Sequence, residues 1–327
     1  MLTRRDFLQV SAAAAAILGG GNMSLAAARQ SLTQKKILEF DSVGQVTLLN
    51  FADCHAQLMP LYFREPSFNV GVGAATGLPP HITGKKLLEK FEIRPGTPEA
   101  HAFSSHDFVA LSQEYGKVGG LAHMATLINA VRAERPSNTL LVDCGDTWQG
   151  SYSALKTRGA DMVEVMNALG VDVMTAHWEF TYGTERVKEL IEKLKFPFLA
   201  GNVIDKEWEE PVFEDLTYFE RGGVKIAVIG QAFPYTPIAN PRYLIPEWSF
   251  GIREENIRES VDKAKAAGAD LVVLASHNGF DVDRKLASRV TGIDVILTGH
   301  THDAIPAVIR VKDTLLIATG SHGKFLG

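Results

Sequence analysis

Cysteine is nearly absent from this sequence: Cys54 and Cys144 are the only two among 327 residues, too few for a disulfide scaffold. Positive charge is not in excess either. The chain has 33 Lys and Arg against 38 Asp and Glu, a formal net charge of -5, and so lacks the basic footprint that nucleic acid requires. Past residue 30 there is no long apolar run, and the mean hydropathy is +0.01, which argues against a membrane-spanning fold. Neither an internal repeat nor a low-complexity tract follows that point. What remains is ordinary globular composition, 46% apolar and 22% charged, with material for one large domain or two modest ones.

The N-terminus stands apart. Thr3-Arg4-Arg5-Asp6-Phe7-Leu8 precedes a short apolar stretch at 10–18, and small residues continue to Ala26-Ala27-Ala28. A charged start, an apolar middle and an Ala-rich end follow the order of a secretory signal. The arginine pair before Phe-Leu resembles a twin-arginine export signal. The apolar stretch is too short and Ala-rich to span a bilayer. Residues 1–28 are read as a signal peptide, the mature chain is expected in the periplasm, and 29–327 are left to carry the fold.

In that remainder, residues 45–51 read as a strand that delivers Asp53 and His55 at its end. Residues 56–115 are rich in Pro, Gly and aromatics and show no clear period, as in an excursion over a site. Residues 117–135 then carry apolar side chains at helical spacing. Strands are expected at 139–142, 171–174, 197–200, 223–230, 270–275 and 295–297. Helices are expected at 161–169 (closed by Gly170), 184–195 and 254–267. Such alternation argues for a layered α/β fold.

Nearly every Asp-His element follows a short apolar strand, and in open α/β sheets function gathers at the carboxyl ends of strands. Divalent metals take imidazole and carboxylate, and two ions can share one carboxylate. Asp53-x-His55 and His300-x-His302 each put two such donors on an extended turn. Asp146 follows Gly145, which lets the backbone approach closely, and His277 follows another strand. Any one of these residues alone would be unremarkable, since a lone His is usually a surface or core residue and an Asp after a strand often caps a helix. Their order along the chain points to a two-metal hydrolase site.

With those motifs in view, residues 44–323 resemble the calcineurin-like metallophosphoesterases, in their 5′-nucleotidase branch. The resemblance implies a four-layer α/β/β/α sandwich, followed in the family by a C-terminal domain that this chain is expected to lack. It assigns one metal to Asp53, His55, Asp146 and His302. It assigns the second to Asp146, His277, His300 and the position of His177. The family's Gly-Asn-His-Glu-Phe-Asp motif reads here Ala176-His177-Trp178-Glu179-Phe180-Thr181. A ligating Asn is thus replaced by His177, and Trp178 and Thr181 replace the acid dyad that protonates an alkoxide leaving group. A substrate with a good leaving group, such as a thiolate or persulfide, dispenses with that acid.

Further segments sharpen the resemblance: Asp53-Cys54-His55-Ala56-Gln57-Leu58 with Tyr62-Phe63-Arg64-Glu65-Pro66, Gly145-Asp146-Thr147-Trp148-Gln149-Gly150-Ser151, and Ser321-His322-Gly323-Lys324. Together they resemble the SoxB-type thiosulfohydrolases of the periplasmic Sox sulfur-oxidation system. What this implies is a monomeric dimanganese enzyme acting on the SoxYZ carrier protein. A metal-bridging hydroxide attacks a cysteine-S-thiosulfonate, sulfate leaves and a persulfide remains. Zinc or iron would suit the same donors. The competing readings are a periplasmic 5′-nucleotidase or phosphodiesterase, and a non-catalytic carrier-binding protein. For substrate contact the candidates are Trp148, Trp178, Asn202, Asn278 and His322. The tryptophans fit core packing equally well, and the asparagines fit turn chemistry. Cys54 and Cys144 either face the site or pack at strand ends.

Overall fold

The computed structural model describes residues 43–62 and 71–327. The N-terminal signal reading and the Phe63-Arg64-Glu65-Pro66 segment lie outside the described residues. Eleven strands are present among them: β1 (Thr47–Phe51), β2 (Thr139–Asp143), β3 (Val173–Met174), β4 (Ile204–Asp205), β5 (Leu216–Arg221), β6 (Val224–Gln231), β7 (Trp248–Ser249), β8 (Leu271–Ser276), β9 (Val295–Thr298), β10 (Ile309–Val311) and β11 (Thr314–Ala318). One sheet has the order β1-β2-β3 and is parallel throughout. The second has the order β10-β11-β9-β8-β6-β5, with β6, β8, β9 and β11 parallel and antiparallel strands at both edges.

The sheets pack face to face, and the two-residue alternation of side chains shows how. Leu140, Val142 and Val173 of the first sheet meet Ile226, Val228, Val273, Ala275 and Leu297 of the second. Leu49, Phe51, Leu141 and Met174 point the other way. There they are covered by Met124, Ile128 and Val131 of helix Leu121–Glu134, by Met162 and Met166 of helix Ala160–Leu169, and by Val187 and Leu190 of helix Thr184–Ile191. On the far side Ile229, Leu274, Ile296 and Leu316 lie under Ile257 and Val261 of helix Glu254–Ala266 and under Phe280 and Leu286 of helix Phe280–Arg289. This is the expected four-layer α/β/β/α sandwich. Burial on both faces explains why the central strands read as continuous apolar runs.

Two expectations change, and one contact is new. Residues 56–115 are not structureless: helices Gly84–Lys90, Pro98–Phe103 and Phe108–Tyr115 form there around Leu88, Ile93, Ala100 and Leu111. Residues 197–200 form only isolated bridges, Met174 to Phe198 and Leu199 to Glu214, rather than a strand. At the chain's last residue, Gly327 exchanges two backbone hydrogen bonds with Asn50 of β1, at 2.9 and 2.8 Å.

Candidate metal centre

Parallel strands bring their carboxyl ends to one edge, and here the ends are level. Phe51 pairs with Asp143 and Asp143 with Met174, while Ser276 and Ala318 both pair with Thr298. The residues that follow therefore land together. β1 delivers Asp53 and His55, β2 Asp146, β3 His177, β8 His277, β9 His300 and His302, and β11 His322. Close approach requires glycine at two turns. A Cβ on Gly145 would stand 3.0 Å from the His277 Nδ1, and one on Gly299 would stand 2.9 Å from that same atom and 3.1 Å from Asp53 Oδ2. Asp53, His55, Asp146, His300, His302 and His322 all adopt left-handed backbone, with φ of 53°, 47°, 58°, 78°, 55° and 55°. Non-glycine residues resist that region, and such strain gathers at functional sites.

The seven predicted ligands come together as two groups. Asp146, His177, His277 and His300 form one; Asp53, His55 and His302 form the other. Asp146 stands between them. Its Oδ2 is 2.9 Å from His177 Nδ1, 3.2 Å from His277 Nε2 and 3.9 Å from His55 Nε2. Asp53 Oδ1 is 3.4 Å from His302 Nε2 and 3.6 Å from His277 Nε2, and its carboxylate accepts the His300 backbone N–H.

These donors fit metal ions. His277 Nδ1 lies 2.6 Å from the Cys144 carbonyl and His55 Nδ1 lies 3.2 Å from the Gln149 carbonyl. A carbonyl only accepts, so both Nδ1 atoms carry hydrogen and both Nε2 atoms turn inward, as in metal-bound histidines braced from behind. His55 Nε2 and His302 Nε2 are 3.0 Å apart, and two inward lone pairs at that distance need a cation or a proton between them. Ligand atoms about 2.1 Å from one ion lie about 3.0 Å apart at octahedral and about 3.4 Å apart at tetrahedral angles. Asp146 to His177 and His277 at 2.9 and 3.2 Å, and His302 to His55 and Asp53 at 3.0 and 3.4 Å, fall in or close to that range. The buried His177 Nε2 has no protein partner.

The electrostatics agree. Burial would discharge His277, but the carboxylates of Asp146 and Asp53 outweigh it and carry the imidazole up to about 9. Burial, reinforced by the nearby imidazoles of His277 and His177, pushes His300 down to about 3. Burial also opposes charge on Asp146, yet His277 and His177 together hold it well below the usual carboxylate range. The centre is thus two buried carboxylates among imidazoles, of which burial pushes His177 and His300 toward the uncharged form, and carboxylate with imidazole is the donor set of a divalent cation.

Three buried carboxylates that brace the site have no counterpart in the sequence reading. Glu179 Oε1 accepts N–H groups from Thr147 and Trp148 at 2.6 and 3.0 Å, and its Oε2 accepts those of His177 and Asp146 at 2.8 and 3.3 Å. It ties the Asp146 turn to the His177 turn. Asp143 accepts the Gly145 N–H and the Thr147 hydroxyl on one oxygen. Burial beside Glu179 raises it to about 8. Asp283, in helix Phe280–Arg289, gathers Ser276, Asn278 and Thr298. The sequence signal for Asp143 was an acid flanked by Val142 and Cys144 at the end of a strand that leads to the site; Glu179 and Asp283 carried none.

The remaining candidates divide. Trp178 is half-buried, with its ring 5.5 Å from that of His55 and 6.0 Å from that of His177, so it walls the site. Its carbonyl accepts the Thr181 hydroxyl at 2.6 Å. The His322 ring lies 5.3 Å from His55 and 5.8 Å from His302. Trp148, by contrast, is fully buried in the helix-side core against Phe198. Its bulk and surroundings make it packing, not a substrate contact. Asn202 commits its amide to the carbonyls of Ala232 and Gly251 and to the Ala232 N–H. It is a brace with no group left for substrate. Asn278 gives its amide to Asp283 at 2.9 Å. Cys54 and Cys144 are free and buried, and they pack into different core layers, so strand-end packing is their role.

A fold of two packed sheets with paired Asp and His groups at their common carboxyl edge defines the class. The chain has the fold of the calcineurin-like phosphoesterases and is similar in sequence to proteins of the 5′-nucleotidase superfamily. Within it, the chain is similar to the sulfate thiohydrolase SoxB of Thermus thermophilus, with 38% identity and a TM-score of 0.82 over 87% of this chain and 53% of that one. The calcineurin-like phosphoesterase YfkN of Bacillus subtilis shares the fold, with a TM-score of 0.61 at 23% identity over 86% of this chain and 83% of that one. Rat 5′-nucleotidase is 31% identical over 192 residues, 57% of this chain and 33% of the rat protein. No family model matches the chain. The chain spans about half the length of SoxB and about a third of the curated 5′-nucleotidases it matches. Among the described residues, no helix is long and apolar enough to cross a membrane.

Proposed function

We propose that the protein is a periplasmic dimetal thiosulfohydrolase that releases sulfate from a cysteine-S-thiosulfonate on a SoxYZ-type carrier. The observation that carries this reading is Trp178, an indole beside His55 and His177 where the nucleotidase motif places a proton donor. The likeness to SoxB supports it.

Two divalent ions bound at the centre, manganese by resemblance, supply Lewis acidity, which activates water and neutralises charge on the attacked group. The chain's own residues do the rest. Asp53 and Asp146 supply the negative charge that retains cations, and the carbonyls of Cys144 and Gln149 fix the aim of His277 and His55. Trp178 shields one side and offers no proton to a leaving group. In the proposed reaction, water oxygen bonds to the sulfone sulfur and the S–S bond breaks. The outer sulfur of the carrier's persulfide departs with the electron pair, and water's protons pass to solvent and product. A thiolate leaves as the base of an acid with pKa about 8.5, whereas an oxygen leaving group such as hydroxide is the base of a far weaker acid. The first needs no acid; the second does.

The test is to incubate the manganese-loaded protein with a thiosulfonated carrier and, separately, with nucleotides. Sulfate release is expected, and phosphate without sulfate would refute the reading in favour of a nucleotidase. Neither product would favour a carrier-binding role.

A further inference from the structure

Asp283 touches none of the seven candidate ligands, yet it organises the exits of both strands that deliver His277 and His300. It sits in the first turn of helix Phe280–Arg289 and is fully buried. Its Oδ1 accepts the Ser276 hydroxyl at 2.8 Å and the Asn278 side-chain amide at 2.9 Å, and its Oδ2 accepts the Thr298 hydroxyl. Ser276 is the last residue of β8 and Asn278 lies just beyond His277, so the two bracket that imidazole. Thr298 is the last residue of β9, two positions before His300, and it pairs in register with Ser276. The Ser276 oxygen also accepts the Asn278 backbone N–H at 3.1 Å. One carboxylate is therefore the hub for both turns.

The fold alone does not call for this hub. The ladder between Val273–Ser276 and Val295–Thr298 already joins the two strands, and a buried carboxylate costs desolvation that apolar packing would avoid. What a carboxylate adds is a rigid two-oxygen acceptor for three donors arriving from two turns. The turns it fixes carry half of the Asp146, His177, His277 and His300 group. By contrast, the Asp53, His55 and His302 group draws two of its three members from the β1 turn, which Asp283 does not reach, and only His302 from the β9 turn.

We propose that Asp283 is a positioning residue that aims His277 and His300, so that the ion held with Asp146 and His177 depends on it more strongly than the ion held by Asp53, His55 and His302. This rests on reading the two groups as a dimetal centre, and the test separates the two claims. Wild type and Asp283→Asn are stripped of metal and titrated with manganese. Bound metal per chain is measured by elemental analysis and exchange coupling by electron paramagnetic resonance. Wild type is expected to take up two ions and show a coupled signal; failure to do so overturns the dimetal reading and this proposal with it. Asp283→Asn should keep the first ion and bind the second about 10–100-fold more weakly, the usual cost of losing a group that braces a ligand. At one equivalent it should show an uncoupled manganese signal. If wild type binds two ions and the variant matches it in second-ion affinity and coupling, the proposal is overturned while the dimetal reading stands. Thr298→Val removes one donor, keeps the side-chain shape and covers the case in which Asp283→Asn does not fold. It should weaken the second ion more than the first, with an unchanged circular dichroism spectrum. Unchanged second-ion affinity in Thr298→Val also overturns the proposal.

Discussion

Glu179→Gln isolates what a single buried carboxylate contributes to this site. Each Glu179 oxygen accepts two backbone N–H groups: Thr147 and Trp148 on one, Asp146 and His177 on the other. Glutamine has nearly the same shape but only one acceptor oxygen. Whichever way the amide turns, its NH₂ faces two buried N–H donors, and those two lose their acceptor. A buried donor left without a partner costs about 1–3 kcal/mol, so the expected loss is about 2–6 kcal/mol. Against a typical total of about 5–15 kcal/mol, that is a large fraction. The assay is equilibrium unfolding in urea, followed by tryptophan fluorescence, on metal-free protein. The midpoint should fall with little change in slope, because the surface exposed on unfolding is the same. Glu179→Ala would strand all four donors and is expected to prevent folding, so the glutamine variant is the informative one. A loss below about 1 kcal/mol would refute the reasoning, since it would mean the four N–H groups find water or other acceptors at no cost.

Chelation should lower the melting temperature. An ion at 100 times its dissociation constant stabilises the folded state by about 2.7 kcal/mol, so removal should shift the transition by about 5 °C or more in scanning calorimetry. Trp178→His combined with Thr181→Asp restores the acid dyad of the nucleotidase motif and should raise phosphate release from nucleotides by at least about tenfold, the low side of what a general acid contributes; no gain would mean that Trp178 is not what withholds this activity. Asp143 has its folded pKa raised to about 8 from 3.8 by burial and Glu179. Its contribution to stability is therefore present below about pH 4 and lost as pH rises through about 8. Metal-free wild type should weaken across that window, and Asp143→Asn should flatten the slope in unfolding curves taken at pH 5 and pH 8.

The candidate ligands were legible because each follows a buried strand, and parallel strands leave no choice about where their ends go. Asp53, Asp146, His277 and His300 needed only that rule and the chemistry of their side chains. The small helices at 84–115 were not legible, because elements of six to eight residues that bury a single apolar side chain or a few small ones show no period. Helix Phe280–Arg289 hid for a related reason, since its buried face includes the carboxylate of Asp283. Glu179 and Asp283 could not be assigned from sequence because their partners are chosen by the fold. Glu179 reaches back 31 to 33 residues to the Asp146 turn. For Trp148 and Asn202 sequence left substrate contact and packing or turn chemistry equally open, and types common at binding sites are spent here on the core and on a turn.

The Asp53, His55 and His302 group joins the first strand of the described fold to the turn after β9, with His55 and His302 separated by 247 positions. An ion seated there is a reversible cross-link that closes a loop spanning most of the chain. Closing a loop of that length restricts the unfolded chain by about 5 kcal/mol, on the scale of a long-range disulfide. In a protein whose two cysteines stay free, a metal would then take the place of the missing covalent staple. Loss of that ion would first free the β1 turn from the β9 turn, leaving the helical layers intact.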